Sequence, residues 1–196
     1  KKEITQIIEK QSADLDVNEL APAKNAAEDL ANSKIIGWFE GRSEIGPRAL
    51  GHRSILADPR EKSNWNKVNT IKSREWWRPF APAILENEAH KYFDGIPSKS
   101  PFMLFTGNVK TKNIPAVTHV DQSARVQTVD NNCGVFPNVI REFEKKSNIP
   151  VVLNTSFNGP GEPIVDSPQD ALNFLRSSKL DAVYIEGVRI AKKSQC

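Results

Sequence analysis

Cysteine is almost missing from this chain. Cys133 and Cys196 are the only two in 196 residues, which excludes a disulfide framework and any cysteine-based metal-ligand spacing. A reducing cytoplasm is the setting this predicts. Histidine is nearly as scarce: His52, His90 and His119 are too scattered for a ligand motif, so no protein-held metal is expected. No window approaches the roughly 20 apolar residues that a membrane helix needs, and no signal peptide opens the chain. The one methionine is Met103 and the chain starts at Lys1-Lys2, so a fragment or processed product is expected, with a partner domain upstream. Neither a Walker-type loop nor a Rossmann glycine fingerprint occurs, and neither does a serine elbow. Chemistry here is therefore expected to depend on positioning and charge neutralisation rather than on a nucleophile.

The composition that remains, 38% hydrophobic and 26% charged, is that of a globular protein long enough for one sizeable domain. The formal net charge of +3 is too small to imply nucleic acid. Its distribution says more. Arg42, Arg48, Arg53, Arg60, Lys72, Arg74 and Arg78 gather among glycines, prolines and tryptophans in the first half. Guanidinium forks match phosphate and carboxylate, and they stay charged at any working pH.

Residues 3–10 place Ile4, Ile7 and Ile8 on one helical face, and residues 23–30 read as a second short helix opened by Pro22. Residues 34–39 and 54–57 read as strands. Asp58-Pro59-Arg60-Glu61 carries a capping-box signature for a helix running to about Ile71. Further strands are expected over 80–85, 102–109, 117–120 and 125–129, with a helical turn over 88–92. A helix begins at Pro137, the apolar strand 150–153 has the pattern of one buried on both faces, and Ser167-Pro168-Gln169-Asp170 opens another capped helix. Residues 182–185 and 188–191 close the chain as strands. This order predicts an α/β fold: an open twisted mixed sheet with flanking helices.

Two segments stand out as candidate sites. The loop 40–53, with Gly41, Gly46 and Gly51 among Arg42, Arg48 and Arg53, suits an anion, although Glu40 and Glu44 could instead pair with Arg42 and Arg48. Asn154-Thr155-Ser156-Phe157-Asn158-Gly159 follows a buried strand, where open α/β sheets hold ligands. Its hydroxyls, amides and backbone N–H groups suit phosphate oxygens, whereas the plainer alternative is an Asn-Gly turn. Lys72 and Arg78 bracket Trp76 and Trp77, whose rings could stack on a base. Their large apolar area favours the core edge instead. His119 and Arg125 flank a polar connection; a lone histidine of this kind is more often structural.

Several long motifs then resemble one family. Gly37-Trp38-Phe39-Glu40-Gly41-Arg42, the run Gly46-Pro47-Arg48-Ala49-Leu50-Gly51-His52-Arg53 continuing to Arg60, and Arg78-Pro79-Phe80-Ala81-Pro82 are similar to the C-terminal domain of O-carbamoyltransferases. So are residues 115–127 and 152–158. That family includes the nodulation-factor, cephamycin and aminoglycoside carbamoyltransferases. The resemblance implies a YrdC-like fold over residues 31–196, with residues 1–30 as the last remnant of an upstream domain. It implies binding of carbamoyl phosphate and of ATP with its nucleotide-borne Mg2+, and formation of a carbamoyl adenylate. An upstream actin-like ATPase-type domain would then pass the carbamoyl group to an acceptor hydroxyl. Arg48, Lys72, Arg78, Arg125 and Ser156 are the implied phosphate and nucleotide contacts, with Asn154 and Asn158 nearby. Lys72, Arg78 and Arg125 are the candidates closest to chemistry. Arg42, Arg48, Arg53, His119, Asn154, Thr155, Ser156 and Asn158 are candidates for binding.

Two other readings compete. A YrdC-like synthase would make threonylcarbamoyl adenylate from bicarbonate, threonine and ATP for tRNA modification; the Gly46–Gly51 block favours the carbamoyltransferase. A non-catalytic RNA-binding module would use the basic patch and the tryptophans, but no RNA-binding signature accompanies them.

Overall fold

The computed structural model describes residues 15–18 and 21–193; the helix expected over 3–10 lies outside them, as does Cys196. Ten strands form one mixed sheet: β1 (Leu15–Asn18), β2 (Ile36–Phe39), β3 (Arg53–Ala57), β4 (Ala81–Leu85), β5 (Phe93–Asp94), β6 (Phe105–Val109), β7 (Ser123–Val129), β8 (Val151–Ser156), β9 (Ala182–Ile185) and β10 (Val188–Lys192). Their order across the sheet is β1-β10-β9-β2-β3-β8-β4-β7-β6-β5. The β2–β9 and β4–β7 pairs are parallel, and β8 runs antiparallel between β3 and β4. Among the described residues five α-helices accompany it: α1 (Pro22–Ala31), α2 (Lys62–Ile71), α3 (Ala89–Tyr92), α4 (Phe136–Ser147) and α5 (Pro168–Ser177).

The central strands are apolar on both faces because both faces are covered. On one side Ile55, Ile84, Val151, Leu153 and Val183 pack with Val68 and Ile71 of α2 and Leu172 and Leu175 of α5. On the other, Ile36, Trp38, Leu56, Val152 and Tyr184 meet Ala26, Ala27 and Leu30 of α1 and Val139, Ile140 and Phe143 of α4. Alternation along β8 sends Val151 and Leu153 one way and Val152 the other. Helix α1 runs across residue 30, and its buried face shares a core with β2.

Local chemistry explains where elements begin. The expected capping box at Ser167 forms: its Oγ accepts from Asp170 N at 3.2 Å, and its own N–H donates to Asp170 Oδ2 at 2.9 Å. The one expected at Asp58 does not. Arg60 takes that buried carboxylate with Nε at 3.0 and 2.9 Å and Nη2 at 2.6 Å, so α2 starts at Lys62 without a side-chain cap. The Arg60 guanidinium, together with the Arg60 N–H at 2.8 Å to Oδ1, occupies the carboxylate in place of the Glu61 amide that a capping box would use. Residues 117–120 form no strand. Pro115 fixes φ for a 3-10 turn, Pro115–Val117, whose Ala116 N–H donates to Pro59 O at 3.0 Å. Strand β1, with one buried residue in four, carries no alternating pattern of its own and gets its register from β10.

Asp29 joins the two ends of this fold. It is 5% exposed and accepts from Tyr184 Oη at 2.8 Å, Arg189 Nε at 2.7 Å and Lys34 Nζ at 2.8 Å. Burial opposes the charge, but hydrogen bonds from Arg189, Lys34 and Tyr184 outweigh it and hold the carboxyl below the ordinary aspartate value. Truncation leaves the buried Tyr184 hydroxyl unpaired and strips the Arg189 guanidinium of its nearer carboxylate, with only Asp16 remaining at 3.7 Å. Asp29→Ala should therefore cost about 3 kcal/mol, read as a fall in the urea midpoint with unchanged slope. A loss near zero would show that water replaces the carboxylate.

Candidate functional site

Four segments converge beyond the ends of the central strands. They are the β2–β3 loop, the turn from α2 into β4, the start of β7, and the end of β8 with the loop after it. They enclose a cavity of about 280 Å³. Arg48, Lys72, Arg74, Arg78 and Arg125 line it with Asn154, Thr155, Ser156 and Asn158, and no carboxylate stands among the lining residues.

Lys72 is the anchor. It follows the last residue of α2, is 4% exposed, and donates to Ser156 O at 2.6 Å, Asn158 Oδ1 at 2.8 Å and Asn158 O at 3.0 Å. Ser156 Oγ lies at 3.3 Å and itself donates to Asn158 Oδ1 at 2.7 Å. Burial, then the neighbouring Arg74, pushes the Lys72 ammonium down to about 7. The arginines crowd one another as well. Arg74 is held below its usual range by burial and then by Arg78; Arg125 by burial and then by Arg48 and Arg74. Among the described residues neither Arg48 nor Arg125 has a hydrogen-bond or ion-pair partner. Arg78, half-exposed, reaches Glu75 at 3.0 Å, a carboxylate that is not among the lining residues. Mutually repelling cations with so little internal neutralisation make the cavity a focus of positive potential.

The loop carrying Arg48 is held by buried side chains. Glu44 Oε1 accepts the N–H groups of Leu50 at 2.6 Å, His52 at 2.9 Å and Arg53 at 3.3 Å. Asn154 Nδ2 donates to Ala49 O at 3.1 Å and Gln127 Oε1 at 2.8 Å, and Gln127 Nε2 donates to Leu50 O at 2.8 Å. Gly51 is at φ 109°, and a Cβ there would meet Phe136 at 2.4 Å, so this glycine serves packing rather than a ligand. Glu40 and Glu44 do not pair with Arg42 and Arg48: Glu40 accepts instead from Val135 N at 2.7 Å, at the start of α4.

The cavity thus brings together Arg48, Lys72, Arg78, Arg125, Asn154, Thr155, Ser156 and Asn158. Three candidates stay out. Arg53 is buried, donates to the carbonyls of Glu40, His52 and Gly41, and lies 3.4 Å over the Phe39 ring. Its fork braces the loop. Arg42 sits exposed at the loop's start. His119 contacts Asp121 Oδ1 at 3.2 Å in an exposed turn. Arg74, counted among the gathered cations but not among the site candidates, also lines the cavity, as does Met103, at φ 54°, for which no role was expected. Trp76 and Trp77 are not at the core edge: they are 75% and 58% exposed. Trp65 supports their turn from inside, its Nε1 donating to Arg78 O at 3.0 Å.

The chain belongs to the carbamoyltransferase C-terminal family: the model for "Carbamoyltransferase C-terminus" matches residues 27–192. Nodulation protein NolNO of Sinorhizobium fredii is 46% identical over 179 residues, which are 88% of this chain and 26% of that protein. An uncharacterised protein of Methanocaldococcus jannaschii is 38% identical over 173 residues, covering 86% of this chain and 28% of that one. The chain spans between about a quarter and a third of the length of these and other curated relatives. Among solved structures, full-length HypF in a phosphate- and nucleotide-bound form aligns with TM-score 0.56 and 18% identity, over 84% of this chain and 21% of HypF. P. abyssi Sua5 complexed with L-threonine aligns with TM-score 0.60 and 13% identity, over 82% of this chain and 45% of Sua5. These likenesses establish the YrdC-like fold. Among the described residues, no helix is long and apolar enough to cross a membrane.

Lys72 makes anion binding proton-linked. Its folded value near 7 leaves it mostly neutral at pH 8, and an anion beside it raises that value. Binding of sulfate, which does not itself titrate between pH 6 and 8, should therefore take up a fraction of a proton at pH 8, and at pH 6, where Lys72 is already charged, almost none. Titration calorimetry in two buffers of different ionisation enthalpy measures this. Equal heats in both buffers at pH 8 would contradict the linkage.

Proposed function

We propose that this chain binds carbamoyl phosphate and ATP in the cationic cavity and forms carbamoyl adenylate, for transfer of the carbamoyl group to an acceptor hydroxyl. The observation that carries this is the set of five cations without a lining carboxylate, in a chain of the carbamoyltransferase C-terminal family. The atoms balance in two displacements. Water cleaves inorganic phosphate from carbamoyl phosphate to leave carbamate. A carbamate oxygen then attacks the ATP α-phosphorus, the α–β P–O bond breaks, and pyrophosphate leaves. Both reactants are anions, so the main barrier to their approach is mutual repulsion. Arg48, Arg78 and Arg125 lower it by surrounding the reacting phosphates with fixed positive charge, to which Lys72 adds when an anion holds it protonated. The Thr155 hydroxyl on the lining, with the Gly161 N–H, offers uncharged donors that orient the oxygens.

The lining offers ammonium, guanidinium, hydroxyl and amide groups. That donor set suits phosphate oxygens and does not suit a protein-held cation, so Mg2+ would come with the nucleotide and shield its phosphates. The relatives are about three to four times longer than this chain and the matching family model describes a C-terminus, which supports an upstream region; we take that region to be of actin-like ATPase type and to complete transfer in the cytoplasm. The convergence of the cations into a cavity, rather than along an open stripe, favours a small polyanion over RNA.

Carbamoyl phosphate, ATP and Mg2+ together should release pyrophosphate, and omission of carbamoyl phosphate should abolish the release. Incorporation of labelled threonine into an adenylate would replace this reading with the threonylcarbamoyl one. Arg78→Ala and Arg125→Ala should each weaken ATP binding by about 1.5–3 kcal/mol, while Arg42→Ala and His119→Ala leave it unchanged. Equal losses in all four would place the ligand elsewhere.

A further inference from the structure

A cavity of about 280 Å³ falls at or below the range of about 300–1,000 Å³ that encloses a drug-sized ligand. It suits phosphates. The nucleoside attached to them must lie outside, against whatever borders the cavity. The turn between Arg74 and Arg78, both lining residues, carries two of the most exposed large apolar side chains in the described structure, Trp76 at 75% and Trp77 at 58%. Exposed indoles grouped beside a polar cavity mark a binding surface, since lone apolar residues are common but such groupings are not.

The turn is braced rather than loose. Arg74 N–H donates to Asn69 O at 3.1 Å and Arg78 N–H to Glu75 O at 3.1 Å, and Trp65 Nε1 holds Arg78 O at 3.0 Å. Trp77 is tied to the site by geometry as well as by sequence: its ring centroid lies 6.0 Å from the Arg78 guanidinium carbon. One side chain therefore lines the cavity, and the exposed ring of its neighbour lies close beside that side chain.

We infer that Trp76 and Trp77 form an aromatic platform on which the base of a nucleotide stacks while its phosphates occupy the cationic cavity. This rests on the polyphosphate reading above and adds to it the part of the ligand that the cavity does not enclose. Stacking on an indole needs no hydrogen-bond readout, so the platform selects nucleotides over inorganic polyphosphates more than it selects one base over another.

The test compares ATP with inorganic tripolyphosphate, which carries the charge without the base. Calorimetric titration of the wild-type chain, Trp76→Ala, Trp77→Ala and the double variant should show ATP affinity falling about tenfold or more in at least one single variant. Tripolyphosphate affinity should stay within twofold throughout, and Trp→Phe at the affected position should restore most of the ATP affinity. ATP should quench tryptophan fluorescence in the wild type and tripolyphosphate should not. If wild-type protein binds the two ligands equally, or the variants lose both ligands equally, the platform is overturned while the polyphosphate reading stands. If wild-type protein binds neither, both fall.

Discussion

The cross-link from Lys72 to the loop after β8 governs the rest of the site. Its ammonium joins the end of α2 to the carbonyls of Ser156 and Asn158 and to the Asn158 side chain. Ser156 O also accepts from Asn158 N–H at 3.1 Å and Asn158 Oδ1 from Ser156 Oγ at 2.7 Å, whereas Asn158 O, past the end of the strand, has only the ammonium among the described residues. A shorter or apolar side chain would leave Asn158 O unpaired, at a cost typical of buried polar groups. A carboxylate partner would satisfy the lysine but cancel its charge. The arrangement keeps both the hydrogen bonds and the positive charge, and it sets Arg74 and Arg78 on the turn that leaves the same helix end. The resulting repulsion among cations is a strain that an anion relieves.

The sheet supplies the rigidity this requires. Both faces of β8 are covered, so Asn154 can be buried and still hydrogen-bonded, to Ala49 O and Gln127. Gln127 on β7 and Glu44 within the loop satisfy most of the remaining backbone groups around residues 49–53. Arg48 thus projects from a segment fixed by buried amides and a carboxylate, which lowers the ordering cost of binding. Charge is placed by backbone, and the backbone is placed by side chains from three strands and a loop.

Much of this is legible in the sequence, and the failures have physical causes. Uninterrupted apolar runs at 36–39, 151–153 and 182–185 give their strands directly, because central strands need no alternation. The Ser167 cap is legible because its partner is three residues away. The Asp58 cap has the same signature and fails because Arg60 is a stronger local competitor. Arg53 and Arg78 look alike in the sequence; the first lies in a strand with its fork on loop carbonyls, the second on a turn facing the cavity. His119 and Arg42 fail for the same reason, since loop position does not fix direction. Trp76 and Trp77 contradict the size rule for tryptophan because Trp65 already provides the indole that supports their turn.

If anions complete the site, they must stabilise the folded chain. The most direct measurement is the urea unfolding midpoint of the wild-type chain against pyrophosphate concentration, with ionic strength held constant by chloride. The account predicts a midpoint that climbs with the logarithm of pyrophosphate, by about 2.7 kcal/mol of stability at a hundredfold excess over the dissociation constant. A midpoint that matches chloride at every concentration would mean that the cations do not form a site, and would contradict the central claim.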